Sequence, residues 1–171
     1  MTPGKYMYCP HCGRELEEAI IEDRLRERCP KCERVFYVNP LPVVSCLLVN
    51  SEGKILLVLR KNDPYKDMWC LPMGFAEVDE NIQQAALREL EEETNIKGRV
   101  IRLLDAETVV SSHYGNMVIL AYEVEYVSGK IKAGDDAKDV RFFPINDLPE
   151  LAFKANLTAI RKYQESYGGL D

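Results

Sequence analysis

Two Cys-x2-Cys pairs near the start of the chain constrain its fold more than any other feature. They read Cys9-Pro-His-Cys12 and Cys29-Pro-Lys-Cys32, and 16 residues separate them. Each tight turn can supply two thiolates, and four thiolates complete the tetrahedral shell that zinc requires, so the spacing predicts a closed, structural zinc site. A unit of about 30 residues buries too little apolar surface to fold alone, so we expect the metal to supply much of its stability.

The rest of the chain is long enough for one domain with its own core. The sequence has 171 residues, of which 46% are hydrophobic, and single domains typically contain ~100–150 residues. The segment Asn39-Pro40-Leu41-Pro42 interrupts regular structure, because proline fixes φ and restricts the residue before it. We therefore expect a zinc unit at residues 1–38 and a larger domain at residues 39–171, with disorder only in the first few residues and in the tail Gly168–Asp171.

The sequence also indicates in which cellular compartment the protein is located. The segment Met1–Cys12 has no basic start followed by an apolar run, and no stretch approaches the ~18 apolar residues of a spanning helix. We expect a soluble, cytoplasmic protein with no membrane association, whose six cysteines are thiols or metal ligands. Cys46 and Cys70 lie in apolar surroundings and are expected to be buried. No basic stripe gives a strong signal for nucleic-acid binding.

The order of the predicted elements indicates an α+β fold with a mixed sheet between helices. Apolar runs predict strands, and the composition and the breakers around them predict two helices. The segment Asn50-Ser51-Glu52-Gly53 joins the first two strands as a hairpin turn. The predicted strands are Val43–Val49, Ile55–Leu59, Val100–Val110, Met117–Val127 and Val140–Pro144, and the predicted helices are Ile82–Thr94 and Phe153–Tyr167.

The first predicted helix carries an acidic face. Between Gly74 and Ile96 there are seven acids and one base, which equal the whole net charge of −6. On a helix, Glu89, Glu92 and Glu93 share one face of ~100°, beside an apolar face that can dock on a core. Clustered carboxylates repel each other, and a hard divalent cation such as Mg²⁺ relieves this while it also binds substrate phosphates. A solvated charged face is the alternative.

The spacing around this helix resembles the Nudix box of the Nudix hydrolases, G-x5-E-x7-R-E-U-x-E-E-x-G-U, in which U is aliphatic. The chain has Gly74, then Glu80, then Arg88-Glu89-Leu90-Glu91-Glu92-Glu93-Thr94-Asn95-Ile96. Eight of the nine specified positions match. Asn95 stands where the family has glycine, and asparagine is the next most tolerant residue for the positive φ that ends a helix.

The resemblance implies an α/β/α sandwich that hydrolyses a nucleoside diphosphate linked to another moiety. Water is the implied nucleophile, and Mg²⁺ or Mn²⁺ is the implied cofactor. Glu89, Glu92 and Glu93 are the implied metal ligands. Glu80 is the implied further acid, and Arg88 is the implied ion-pair former that orients the glutamates.

The identity of the general base is left more open by the resemblance. The base is a box glutamate in some members of the family and an acid from a later loop in others. Here Asp135, Asp136 and Asp139 precede the last predicted strand. We favour Asp136 and keep Asp139 in reserve, and a solvated acidic turn is the alternative. The backbone carbonyl of Met73 can also face the metal by analogy.

Three residues outside these sets are candidates for contacts with a nucleotide-type substrate. Phe75 and Tyr37 could stack a nucleobase, with core packing as the alternative for each. Arg60 follows the second predicted strand and could contact a phosphate, with simple surface charge as the alternative.

A zinc ribbon followed by Asn39-Pro40 and a Nudix domain resembles the NADH pyrophosphatase and ADP-ribose pyrophosphatase groups. The NADH branch carries an S-Q-P-W-P-F-P-x-S array after the box, and Glu107–Asn116 does not contain it. We therefore favour ADP-ribose or a related ADP-X compound. NADH or NAD cleavage and the decapping of NAD-capped RNA stay as alternatives, as does a non-catalytic nucleotide-sensing or RNA-binding regulator. A homodimer is expected only by analogy.

Overall fold

The computed structural model describes residues 6–134 and 136–167. It divides into two compact units, one formed by Met1–Leu41 with Val110–Met117 and the other by Pro42–Val109 with Val118–Asp171. The tail Gly168–Asp171 and the extreme N-terminus, for which we predict disorder, lie outside the described residues. In the described part of the chain, no helix is long and apolar enough to cross a membrane.

The first unit contains a small sheet that the sequence analysis does not predict. Its strands β1 (Glu17–Ile21), β2 (Arg24–Arg28) and β3 (Val35–Phe36) are antiparallel and lie in the order β1-β2-β3. Glu22 and Asp23 make the turn between β1 and β2 with φ values of 53° and 60°. The short, charged strands give no hydrophobic alternation strong enough to be recognised in the sequence.

Among the residues that the structure describes, the second unit has two helices and two sheets, which confirms the α+β prediction. The sheets have the strand orders β10-β5-β6 and β7-β4-β9-β8. All five predicted strands and both predicted helices are present, with ends shifted by at most four residues. The elements are β4 (Leu41–Leu48), β5 (Lys54–Arg60), β6 (Trp69–Cys70), β7 (Met73–Phe75), α1 (Ile82–Thr94), β8 (Ile96–Ser111), β9 (Gly115–Gly129), β10 (Ala137–Pro144) and α2 (Lys154–Tyr167).

The predicted hairpin between the first two apolar runs is correct only at its turn. The Asn50 side chain accepts the N–H groups of Glu52 and Lys54 at 3.0 and 2.9 Å. Beyond one bridge between Val49 and Ile55, β4 and β5 separate into different sheets. Both strands are buried on both faces, so their sequences contain no alternation that would specify a pairing partner.

Two hydrophobic clusters on opposite faces of β4 and β5 produce the predicted sandwich. Successive side chains of a strand point to opposite faces. The even-numbered ones pack in the cluster that contains α1: Val44, Cys46, Leu48, Leu56 and Val58, with Ala85, Ala86 and Leu90. The odd-numbered ones pack in the cluster that contains α2: Leu47, Ile55 and Leu57, with Ala159 and Ile160. Cys46 and Cys70 are buried thiols, as predicted.

Both ends of α1 are specified by local hydrogen bonds. Asn81 caps the first turn in a reciprocal capping box with Gln84, which satisfies two N–H groups that the helix leaves free. Asn95 ends the helix at φ 60°, as its replacement of glycine predicts, and its side chain donates to the Lys130 carbonyl at 2.8 Å. These caps fix where the helix begins and ends.

Candidate active site and zinc site

Arg88 holds the acidic face of α1 in one hydrogen-bonded network. Its Nε and Nη2 groups donate to the two carboxylate oxygens of Glu80 at 3.0 and 2.7 Å. Nη1 donates to Glu89 at 2.7 Å and to Glu92 at 3.0 Å, and Nη2 also donates to the Phe75 carbonyl at 3.0 Å. The hydrogen bonds from Arg88 lower the pKa of Glu80, so both partners stay charged.

Gly74 allows strand β7 to lie directly against the Glu89 carboxylate. A Cβ atom at position 74 would overlap all three atoms of that carboxylate group. Glycine therefore permits the observed position of the Glu89 carboxylate, which a side chain at position 74 would displace. Burial raises the pKa of Glu89, and the neighbouring Arg88 opposes this shift.

Glu93 is the most deeply buried of the three glutamates. Its side chain accepts the Met73 N–H at 3.0 Å, and the residue is 7% exposed. Burial raises the pKa of Glu93 to about 8; the charges of Glu89 and Asp136 act in the same direction, whereas the Met73 N–H and Arg60 oppose them. Without a cation, the protein supplies too little opposing charge to keep Glu93 ionised at neutral pH.

The oxygen donors on α1 fit a hydrated hard cation better than a closed cage. Mg²⁺ and Mn²⁺ prefer oxygen ligands, and Mg²⁺ commonly keeps several waters. Among the described residues, the four cysteines have ligand atoms that all lie within 4.8 Å of one another. The ligand atoms of the three glutamates are more widely spread. Glu92 is turned towards Arg88, so the glutamate set is open.

Two hydrogen bonds from residues distant in sequence hold Asp136 near this site. Its backbone carbonyl accepts the Lys61 N–H at 3.0 Å, and its Oδ1 accepts the Asn62 side-chain amide at 2.9 Å. Its charge contributes to the raised pKa of Glu93. The reserve candidate Asp139 instead forms an ion pair with Arg141. Asp135 lies outside the described residues.

Two backbone hydrogen bonds connect the segment before Asp136 to the C-terminal end of α1. The N–H groups of Lys132 and Gly134 donate to the carbonyls of Thr94 and Glu93, each at 3.0 Å. A Cβ atom at Gly134 would overlap the Glu92 carbonyl. The sequence analysis missed Asn62 and Gly134 as supporting residues, because each acts through a contact that no local pattern indicates.

The three predicted substrate contacts have different surroundings. Arg60 is half-buried, and its charge opposes the pKa shift of Glu93, so it belongs to the acidic site. Phe75 lies on β7 opposite Val43 and offers its carbonyl to Arg88. Tyr37 belongs to the first unit, where the Arg26 guanidinium lies 4.3 Å from its ring centre.

The four cysteines of the first unit converge as their spacing predicts. The sulfur atoms of Cys9 and Cys32 are 3.6 Å apart, those of Cys12 and Cys29 are 3.5 Å apart, and those of Cys12 and Cys32 are 4.0 Å apart. A zinc tetrahedron with Zn–S bonds of about 2.3 Å has edges of about 3.8 Å. A disulfide would need a separation of about 2.05 Å. The sulfur geometry therefore fits zinc.

The two Cys-x2-Cys turns have the same backbone structure. Gly13 and Glu33 donate their N–H groups to the carbonyls of Cys9 and Cys29 at 2.8 and 2.9 Å. Their φ values are 69° and 57°, so the two turns are conformational copies offset by 20 residues. The Cys29 sulfur also accepts the Cys32 N–H at 3.4 Å, which favours the thiolate form.

Comparison with family models identifies both parts of the chain. The NUDIX domain model matches residues 39–163, and the Nudix N-terminal zinc-ribbon model matches residues 7–38. The chain therefore belongs to the Nudix family of hydrolases and carries the zinc ribbon found at the N-terminus of some of its members. This confirms the fold, family and enzyme class that the box spacing predicts.

Three similar proteins show which kinds of Nudix hydrolase this chain resembles. The ADP-ribose pyrophosphatase of Methanocaldococcus jannaschii is 37% identical over 68% of this chain and 69% of that protein. The NAD-capped RNA hydrolase NudC of Chromobacterium violaceum is 29% identical over 85% of this chain, and the chain spans only 53% of it. The crystal structure of a NUDIX hydrolase from Nitrosomonas europaea is similar with a TM-score of 0.81 and 30% identity, over 96% of this chain and 94% of that one.

Proposed function

We propose that this protein hydrolyses the diphosphate linkage of ADP-ribose or a related ADP-X compound in the presence of Mg²⁺ or Mn²⁺. In this proposal a zinc ribbon occupies residues 1–38, and the hydrolase domain occupies residues 39–171. The observation that carries the proposal is the buried Glu93 carboxylate, which lies among other acids and is only partly opposed by Arg60. A cation removes that electrostatic conflict, and the diphosphate then adds its own ligands.

Glu89, Glu92 and Glu93 would hold the cation. When bound, it neutralises charge on the diphosphate and makes a water molecule more acidic. Glu80 has a different role, because both of its oxygens are bonded to Arg88. Arg88 and Glu80 keep the Glu89 and Glu92 carboxylates aimed at one place, which lowers the cost of ordering them when the cation binds.

Asp136 would accept the proton of the attacking water. Asn62 holds one of its carboxylate oxygens at 2.9 Å, so we assign the other oxygen, Oδ2, as the proton acceptor. A general base must lie within hydrogen-bond reach of the proton that it removes. Glu93 is the alternative base, because the family resemblance also allows a glutamate of the box in this role.

Arg60 would bind the substrate's phosphate oxygens. Its Nε donates to the Pro64 carbonyl at 2.9 Å, which orients the guanidinium beside the acidic face. A positive charge at this place offsets part of the repulsion between the glutamates and the anionic substrate.

A hydrolysis screen with Mg²⁺ or Mn²⁺ tests the proposal. Its members are ADP-ribose, NADH, dinucleoside polyphosphates and nucleoside triphosphates. We expect ADP-ribose to have the highest kcat/KM and to yield AMP and ribose 5-phosphate, the products of cleavage between the two phosphorus atoms. If none of these compounds is cleaved with either metal, the proposed function is wrong.

Two alternatives are tested by the same screen. The similarity to NAD-capped RNA hydrolases over 85% of the chain supports activity on NADH or on NAD-capped RNA, so an NAD-capped oligonucleotide is included. The second alternative is a nucleotide-sensing or RNA-binding regulator without turnover. ADP-ribose binding in calorimetry, with no cleavage over hours, would support that regulator. The intact set of Glu89, Glu92 and Glu93 favours an enzyme.

The compartment and the assembly belong to the same proposal. We place the protein in the cytoplasm, where zinc-binding thiols stay reduced. A homodimer is supported by exposed Ile101 and Leu103, 46% and 47% accessible, on the edge strand β8. Sedimentation of the wild type against Leu103→Lys tests the assembly, and a monomeric wild type contradicts it.

A further inference from the structure

An aromatic pair lies next to the acidic site and has no part in the roles assigned above. The rings of Tyr65 and Phe153 meet edge to face, with centroids 5.2 Å apart and planes at 77°. Tyr65 is 51% exposed, so packing against Phe153 leaves half of it uncovered. The uncovered part of the ring is available for contact with a ligand.

Arg60 connects this pair to the catalytic acids. Its guanidinium lies 5.1 Å from the Phe153 ring centre, and its Nε is bonded to the carbonyl of Pro64, the residue before Tyr65. The same guanidinium charge acts on Glu93. A phosphate held by Arg60 would therefore carry its attached group towards the two aromatic rings.

The loop that carries Tyr65 is held in place on both sides. Tyr65 and Asp67 have φ values of 64° and 65°, a region that L-residues with side chains rarely adopt. Asp67 forms an ion pair with Lys138, and Asn62 is bonded to Asp136. These contacts fix the loop to the start of β10, so the half-exposed Tyr65 ring has a defined position relative to Asp136.

We propose that Tyr65 and Phe153 bind the nucleobase of the substrate, with Arg60 holding the phosphate between that base and the acidic site. The inference rests on the proposed function and adds where the adenine end lies. An aromatic face that is already ordered gives stacking energy at little entropic cost. Stacking is tolerant of base identity, so this surface selects a planar ring and not a particular base.

Steady-state kinetics and product inhibition test the inference. We expect Tyr65→Ala to raise KM for ADP-ribose about 10-fold with kcat within about twofold, since one stacked base contributes on this scale. Tyr65→Phe keeps the ring and should behave as wild type. Tyr126→Ala is the matched control, because Tyr126 is 55% exposed on β9 and its hydroxyl donates to the nearby Gly129 carbonyl.

Product inhibition identifies which end of the substrate is bound. In Tyr65→Ala, the inhibition constant of AMP should rise about 10-fold while that of ribose 5-phosphate stays unchanged. The inference is overturned if KM and AMP inhibition are unchanged, or if only ribose 5-phosphate inhibition weakens. The wild type must first turn over ADP-ribose, so its failure to do so counts against the proposed function and is distinguishable from failure of the inference. Equal melting temperatures for the three variants exclude misfolding.

Discussion

The backbone of Gly74 lies so close to the Glu89 carboxylate that a side chain at position 74 would displace that carboxylate. A Cβ atom there would overlap the Glu89 carboxylate. Strand β7 and helix α1 therefore meet where the Gly74 backbone contacts the Glu89 carboxylate. This contact sets the position of the acidic face relative to the sheet.

Gly74→Ala should displace Glu89 and lower kcat/KM by about 10²-fold, because catalytic groups lose efficiency steeply when misplaced by about 1 Å. Metal titration of the turnover rate should show weaker activation by Mg²⁺. Gly53→Ala is the control, since Gly53 lies in a turn at φ 72° with open space around it. It should cost about 1 kcal/mol of stability and leave activity unchanged. Wild-type kinetics in Gly74→Ala would show that the close contact has no role.

Arg88→Lys should weaken metal activation about 10–100-fold, the usual effect of losing a residue that orients ligands. A lysine ammonium cannot reproduce the two-pronged contact with Glu80 while it also bonds Glu89 and Glu92. Arg99→Lys is the matched control, because Arg99 forms an exposed ion pair with Glu125 between β8 and β9. Equal effects of the two substitutions on the metal concentration for half-maximal rate would contradict the orienting role.

The stability of the metal-free protein should fall as pH rises from about 4.5 to about 8. Burial raises the pKa of Glu93 from 4.5 to about 8, so in this window the folded protein binds a proton that the unfolded chain releases. The stabilisation of the folded state by this proton is complete below pH 4.5 and is lost as pH rises through about 8. The free energy of unfolding falls by up to about 4–5 kcal/mol over this range.

Glu93→Gln removes this contribution, because glutamine does not titrate. We expect denaturant unfolding in EDTA to show a pH dependence in the wild type that is much flatter in the variant. Excess Mg²⁺ should stabilise the wild type more and more as pH rises through about 8, because the cation binds the ionised carboxylate. If the unfolding free energy of the two metal-free proteins had the same pH dependence, that result would contradict a raised pKa of Glu93.

Zinc should be present at one atom per chain, and Cys12→Ser should abolish it along with the fold of the first unit. A small unit without its metal lacks the core to stay folded. Cys46→Ala is the control, since Cys46 is a buried thiol on β4 whose Sγ donates to the Ala86 carbonyl. Elemental analysis of both variants checks this, and a zinc-free wild type that is fully folded would refute the ribbon's dependence on metal.

The features of α1 were predictable because local chemistry specifies them. Asn81 and Asn95 begin and end the helix as their side chains allow, and the helical period puts the glutamates on one face. The Cys-x2-Cys spacing likewise predicts convergence of four sulfurs, because each turn places two of them by itself.

The residues that surround the helix were not predictable in the same way. Phe153 reaches Tyr65 across 88 positions, and Asp136 reaches Asn62 across 74. Such pairs depend on how β5, β10 and α2 pack, and the doubly buried strands do not specify their partners. Arg60 was named for its charge, but its links to Phe153 and Glu93 emerge only from the fold.

The central claim is that the carboxylates on one face of α1 bind the catalytic cation, and the most direct test compares Glu93→Gln with Glu91→Gln. Glu91 lies on the same helix, is exposed, and pairs with Lys97. With the best substrate of the screen and saturating Mg²⁺, Glu93→Gln should lower kcat/KM by about 10²-fold or more, while Glu91→Gln should stay within about twofold of wild type. Full activity in Glu93→Gln, or equal losses in both variants, would contradict the proposed site.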